Sequence, residues 1–182
     1  MPDISPNKKP RNAAQTRARI LAAAQDAFAQ YGYAGVGIRE IAKNAGVASS
    51  LLLRYFGSKA ELFEEALVNA FYARGLFVRD RERFGRQMAE LMLTEGDVPM
   101  IPMIVLANGD PAAREITRKL AKRHMVDALA EWLGPPNAEA RALDMLALMT
   151  GFFIHVHQLG ATVPPETADW LARQLQALVD GG

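Results

Sequence analysis

From Asn12 to Tyr31 the apolar side chains Ile20, Leu21, Ala24, Ala27, Phe28 and Tyr31 recur at helical intervals, while Arg17, Arg19, Gln25 and Asp26 fall outside the stripe. That pattern predicts an amphipathic helix, and Gly32 is its expected stop. A second, shorter stripe joins Ile38, Ile41, Ala42 and Ala45, with Arg39, Glu40, Lys43 and Asn44 looking outward. Gly46 accepts the left-handed conformation of a sharp helix exit, Val47 turns inward, and a third helix starts near Ala48. On the wheel of that third helix Leu52, Tyr55 and Phe56 share one face, Ser50, Leu53 and Arg54 point the opposite way, and Ser49 and Leu51 flank them. Two short helices crossing through such a turn form a helix-turn-helix, whose second helix fits a major groove. Ser58 and Glu61 then make an S-x-x-E capping box, opening a helix that carries Leu62, Phe63, Leu67 and Phe71 and runs toward Phe77.

Beyond Gly85 the pattern stays helical, and no strand-like alternation persists. Met88, Leu91 and Met92 mark a short helix expected to end at Gly96, and Pro99 and Pro102 force a break before Met103 to Ala107. Asp110-Pro111 supplies a cap and a first-turn proline for a helix reaching Leu133, which Gly134-Pro135-Pro136 ends. Asn137 is the expected cap of a helix that reaches Leu159, with Gly160 as its stop. The last helix spans Pro165 to Val179, with Trp170, Leu171, Leu175 and Leu178 on one side. The predicted fold is all-α: an N-terminal three-helix helix-turn-helix domain joined to a C-terminal bundle of five or six helices.

Charge sharpens this division. Residues 1–60 carry nine Lys and Arg against three acids, a net +6, whereas the other 122 residues carry twelve against seventeen, a net −5. A basic end on an acidic body suits a protein that presents one surface to a polyanion. The expected organisation is a flexible basic arm at 1–12, with Lys8, Lys9 and Arg11 free to follow a DNA groove, a DNA-binding domain at 13–60 with its motif at about 37–56, and a helical body at 61–182.

Zero cysteines exclude disulfides and thiolate chemistry. The polar, proline-broken N-terminus is no secretory signal, and the most apolar run, Leu143 to Val156, is interrupted by Asp144, Thr150 and His155. A cytoplasmic protein with no membrane partner is expected. Metal and catalytic chemistry find no support: His155 and His157 lie two apart, on nearly opposite sides of a helix, and no H-x-x-x-H, phosphate loop or nucleophile motif occurs. No cofactor and no enzymatic activity are expected.

The segment IREIAKNAGV…LRYFGSKAELF resembles the DNA-binding domain of the tetracycline-repressor (TetR) family, over about Thr16 to Phe71. It departs from that family's pattern at Gly37, where a Thr usually caps the helix, at Leu51, where a small residue is common, and at Leu53, where a Tyr usually reaches a phosphate. The resemblance implies a sequence-specific regulator that binds double-stranded DNA. Arg39, Ser49, Ser50, Leu51, Leu53 and Arg54 would face the bases, while Gly37, Tyr55 and Lys59 would hold phosphates. Lys59 stands in the first turn of its helix, a poor place for a cation unless an anion joins it there.

For the body, the resemblance implies a small apolar or amphipathic effector of unknown identity and pairing into a homodimer through the last two long helices. Met88, Met92, Met125, Met149, Phe152 and His155 are the candidate pocket residues, since methionines cluster after residue 87 and adapt to irregular apolar cavities. Met145, Phe153, Val156, Trp170, Leu171, Leu175 and Leu178 are the candidate dimer contacts. A repressor released from a palindromic operator by its effector is the leading expectation. An activator without a small ligand, or less favourably a helical-bundle enzyme, is the alternative.

Overall fold

A computed structural model describes residues 9–72, 80–93 and 99–181. Among these, every regular element is helical. The expected reach of the fourth helix to Phe77, the stop at Gly96 and most of the basic arm lie outside the described residues. The chain divides into two compact units, residues 1–70 with 102–117 and residues 71–101 with 118–182.

In the first unit, α1 (Lys9–Gly35) is broken at Gly32, whose φ of 70° and ψ of 174° turn the chain out of the helix. Gly32 is needed there twice over. The left-handed φ favours it, and a Cβ would stand 3.3 Å from the Leu106 Cβ and 3.6 Å from the Leu106 carbonyl oxygen. The helices α2 (Ile38–Asn44), α3 (Ser49–Phe56) and α4 (Lys59–Tyr72) follow. Ile20, Ala24 and Phe28 of α1 are closed to water, as are Ile41, Leu52, Leu62 and Phe63. Phe28 and Phe63 cross edge to face with centroids 5.0 Å apart, a favoured aromatic geometry. At the rim the Arg17 guanidinium pairs with Glu65 and lies 5.0 Å from the Phe56 ring, while Gln25 Nε2 donates to the Ala66 carbonyl at 2.9 Å and to Asn69 at 3.0 Å.

The helix α6 (Met100–Ala107) starts earlier than the prolines suggested, because Pro102 sits in its first turn, where a missing N–H costs nothing. Asp110 Oδ1 accepts from the amides of Ala112 and Ala113 and caps α7 (Pro111–Ala121), as expected.

In the second unit, a 3₁₀ turn, Arg81–Arg83, leads into α5 (Phe84–Leu93). The helix begun at α7 continues through a π turn, Lys122–Asp127, into α8 (Ala128–Leu133). Then come α9 (Ala138–Phe153), a second π turn at Ile154–Gln158, and α10 (Pro165–Asp180). Asn137 does not cap α9 with its side chain; it is left-handed, with φ 51°, and only its carbonyl engages, accepting from the Arg141 amide at 3.0 Å.

Two arginines do the capping at the other end of the neighbouring helices. Arg81 donates to the carbonyls of Trp132, Leu133 and Val179, and the buried Arg141 to those of Gly134, Pro136 and Leu178, so the orphan carbonyls of α8 and α10 meet guanidinium donors. α5 packs along α10, and Gly85, buried inside α5 instead of preceding it, lies close against the α10 backbone. A Cβ at Gly85 would collide with the Ala172 carbonyl oxygen and stand 2.7 Å from the Gln176 nitrogen.

Candidate nucleic-acid interface

The second helix of the motif is set by its buried side. Leu52 is fully enclosed and Phe56 is 3% exposed, so the opposite face of α3 must point to water. That face carries Ser50, Leu53 and Arg54, all exposed, with Ser49, Leu51 and Tyr55 half-buried at its edges. Leu53 is 40% exposed, an apolar side chain held outward at the centre of a polar face.

The turn between α2 and α3 is built as the glycine pattern predicts. Gly46 has φ 64°, the Val47 amide donates to the Ala42 carbonyl at 2.9 Å, and Ala48 precedes the first residue of α3. Gly37 sits extended ahead of α2, with no side chain to cap it, and Arg39 is exposed in the first turn.

At the far end of α3, Gly57 takes φ 75°, and the space beside its Cα is filled by the Glu61 carboxylate. Ser58 Oγ accepts from the Glu61 amide at 3.1 Å. The reciprocal arm of the expected capping box is replaced, since the Ser58 amide donates to the Phe56 carbonyl at 2.9 Å. Lys59, half-buried in the first turn of α4, holds its Nζ 4.4 Å from the centroid of the Tyr33 ring. Burial, helped by the Asp110 carboxylate, keeps the Tyr33 hydroxyl proton above the ordinary tyrosine range. Over residues 36–60 the bases Arg39, Lys43, Arg54 and Lys59 face a lone acid, Glu40. This surface combines cations, hydroxyls and one apolar side chain, the mixture that reads phosphates and base edges.

The family profile described as "Bacterial regulatory proteins, tetR family" matches residues 20–66, and that described as "Tetracyclin repressor-like, C-terminal domain" matches residues 82–179. The chain belongs to the TetR family. It is a DNA-binding transcriptional regulator with an N-terminal helix-turn-helix and a C-terminal helical domain, and not an enzyme.

An uncharacterized HTH-type transcriptional regulator of Mycobacterium tuberculosis is 31% identical over 170 residues, covering 88% of this chain and 73% of the relative. The HTH-type transcriptional regulatory protein RaaS of the same organism is 26% identical, over 90% of this chain and 85% of its own. Among solved structures, the multidrug binding protein EbrR complexed with ethidium superposes with a TM-score of 0.64 at 21% identity, over 90% of this chain and 98% of that one. Among the described residues no helix is long and apolar enough to cross a membrane, and no group of three His, Asp or Glu could hold a metal.

In the C-terminal domain of this TetR-family chain the candidate residues separate into three groups. Met88, Met125 and Met149 line a small internal cavity of about 20 Å³, with Phe71, Phe84 and His124 also on its wall. Met92 does not line it; it is buried, and its carbonyl lies 2.8 Å from His157 Nε2. Phe152 and His155 also stand elsewhere. They line an open groove of about 960 Å³ between α9 and α10, together with Val156 and Leu178 from the expected dimer contacts.

Four of those expected contacts need correcting. Met145, Phe153, Leu171 and Leu175 are enclosed in the core of their own unit and offer a second copy no surface. Their stripe is the one that packs on α5 and its neighbours, so an apolar periodicity correctly marks burial there but not its source. Trp170 is 41% exposed, with its ring 6.2 Å from that of Phe152. The groove residues Ala147, Leu148 and Gly151 were missed from the sequence. With Asp144, Phe152, His155 and Val156 they form a second stripe along α9 and the π turn after it, at spacings of three and four, a signal that was readable once two faces were sought.

Proposed function

We propose that this regulator acts as a homodimeric repressor, with one α3 in each of two successive major grooves. The observation that carries the reading is the solvent-facing side of α3, where Arg54, Leu53 and Ser50 stand clear of the core that Leu52 and Phe56 anchor. Arg54 is the bidentate donor to a guanine, and Leu51 and Leu53 meet thymine methyl groups, with Ser49, Ser50 and Arg39 completing the base contacts. Gly37, Tyr55 and Lys59 hold phosphates and set the register. Leu53 in place of the tyrosine common in this family exchanges a phosphate partner for an apolar one, which argues for an A·T pair beneath it.

Two-fold pairing supplies the second half-site. The groove between α9 and α10 suits it, because a second helix can approach closely at Ala147 and Gly151, where a Cβ on Gly151 would meet nothing within 4 Å. The methionine-lined cavity is the effector site. Its volume of about 20 Å³ holds one water, so a ligand enters only as the flexible Met88, Met125 and Met149 side chains repack. The ethidium complex of EbrR supports a small apolar or amphipathic effector. Such an effector releases DNA only if it binds the released conformation more tightly than the DNA-bound one. A protein with this work to do belongs in the cytoplasm.

Footprinting on the promoter beside its own gene tests the reading. A protected palindrome whose half-sites lie about one helical turn apart is expected, and Arg54→Ala should weaken binding by about 1–3 kcal/mol while relaxing choice at one base pair. Protection without sequence preference would refute it.

A further inference from the structure

We infer that Tyr33 is a positioning residue for DNA binding: its ring is the platform that holds the Lys59 ammonium at the start of α4, where a backbone phosphate is to be met. The inference rests on the proposed phosphate contact of Lys59 and adds a residue that lies outside the helix-turn-helix.

Three observations converge on it. First, the Lys59 Nζ stands 4.4 Å from the Tyr33 ring centroid, well inside the range of a cation–π contact. A free lysine side chain would sample many rotamers at the helix start and would surrender that freedom on binding; a lysine already resting on a ring surrenders less. Second, the ring is itself fixed. Tyr33 stacks on Phe28 with centroids 6.0 Å apart and meets Phe63 edge to face at 5.2 Å, so the platform belongs to the aromatic core of its unit. Third, the backbone delivers the ring there by a dedicated turn. Gly32 breaks α1 with φ 70° against Leu106, and the chain leaves the helix one residue before Tyr33.

The placement answers the difficulty that Lys59 poses for its own helix. A cation beside the free amides of an N-terminal turn is repelled by the helix dipole, and Lys59 is the first residue of α4. The electron-rich face of Tyr33 offsets that repulsion in the free protein and keeps the ammonium close to the amides. A phosphate that arrives then finds a cation and helix amides assembled together.

The test is a double-mutant cycle on the full chain with mixed-sequence duplex DNA, reading affinity against salt concentration. Lys59→Ala should lower the slope of log affinity on log salt by about 0.9 for each bound protomer, one phosphate contact apiece. Tyr33→Leu should weaken binding about two- to fivefold, the worth of a partly exposed cation–π contact, and should add nothing once Lys59 is alanine. Tyr33→Phe, which keeps the ring face, should bind like the parent. If Tyr33→Leu weakens binding equally with and without Lys59, the ring acts through the fold alone and this inference is wrong, although the Lys59 contact survives. If Lys59→Ala leaves the slope unchanged, the phosphate contact itself fails and takes the inference with it.

A proton NMR measurement does not depend on how well Tyr33→Leu folds. The Lys59 ε-methylene protons should resonate upfield of ordinary lysine values in the parent and in Tyr33→Phe, through the ring current. Ordinary shifts in the parent would overturn the proposal outright.

Discussion

Gly85→Ala sets two effects of opposite sign against each other. In the interior of a helix, replacing glycine by alanine is worth roughly 1 kcal/mol of added stability, because the unfolded chain loses freedom. Gly85 lies inside α5, so propensity alone favours the change. The crossing with α10 opposes it. The new Cβ would stand 2.7 Å from the Gln176 nitrogen and 2.8 Å from the Gln176 Cβ, and closer still to the Ala172 carbonyl oxygen.

Carbon contacts settle at about 3.5 Å or more, so α5 and α10 must part by most of an ångström. Two of the three obstructing atoms are backbone, and no rotamer relieves them. Overpacking of this kind costs about 1–3 kcal/mol, and the separation also strains the 3.0 Å bond from the Gly85 amide to Gln176 Oε1, worth about 1 kcal/mol. The net expectation is a loss of about 2 kcal/mol. For a chain of 182 residues this lowers the melting temperature by roughly 4–8 °C. Thermal unfolding followed by circular dichroism at fixed protomer concentration measures it. A variant that melts at or above the parent would show that the crossing tolerates a methyl group and that propensity decides.

Two further outcomes are expected. Leu148→Arg puts a cation in the middle of the α9–α10 groove without touching the core behind it, so sedimentation should show a folded monomer where the parent is a dimer, and DNA affinity should fall with the loss of the second half-site. An unchanged dimer would move the pairing surface elsewhere. Above pH 10 the folded chain should lose stability progressively: unfolded Tyr33 releases its proton at its ordinary pKa of 10.0, the folded state retains the proton to higher pH, and the proton loss therefore favours unfolding. Tyr33→Phe should flatten that part of the stability profile, and a profile identical to the parent's would assign the effect to other groups.

The DNA-binding half was legible because local rules decide it. Gly46 and Gly57 need left-handed backbone, the serine at 58 accepts from the first turn of α4, and the period of Leu52 and Phe56 fixes which side of α3 faces out. All of these act within a few residues. What escaped was long-range. Nothing near Gly85 announces that Ala172 and Gln176 cross it, and nothing near Arg141 announces that its guanidinium will take carbonyls from Pro136 and Leu178, five and thirty-seven residues away. Asn137 misled for a related reason: its type suits a side-chain cap, but its left-handed backbone turns the side chain away from that role. Tyr33 drew no notice in the sequence, because its relation to Lys59 depends on a fold that brings positions 33 and 59 together.

The candidate dimer contacts expose a deeper ambiguity, and α9 shows how it is resolved. Hydrophobic periodicity reports that a face leaves water, but it does not report whether the cover is the same chain or another. In α9 both occur. Met145, Met149 and Phe153 recur every four residues and are buried within the unit, with Met145 and Met149 on the wall of the internal cavity. Leu148 and Phe152, with Val156 in the π turn that follows, also recur every four residues, offset by three from the first series, and line the open groove. One helix therefore has one stripe against the cavity and the adjacent stripe against the groove, the two side by side on its surface. A close-packed helix cannot swell on one side without moving on the other. An effector that enlarges the space beside Met149 must displace Leu148 and Phe152 as well. On this geometry the proposed effector site and the proposed pairing surface share a wall, and a ligand would alter the dimer through α9 before any other element had to move.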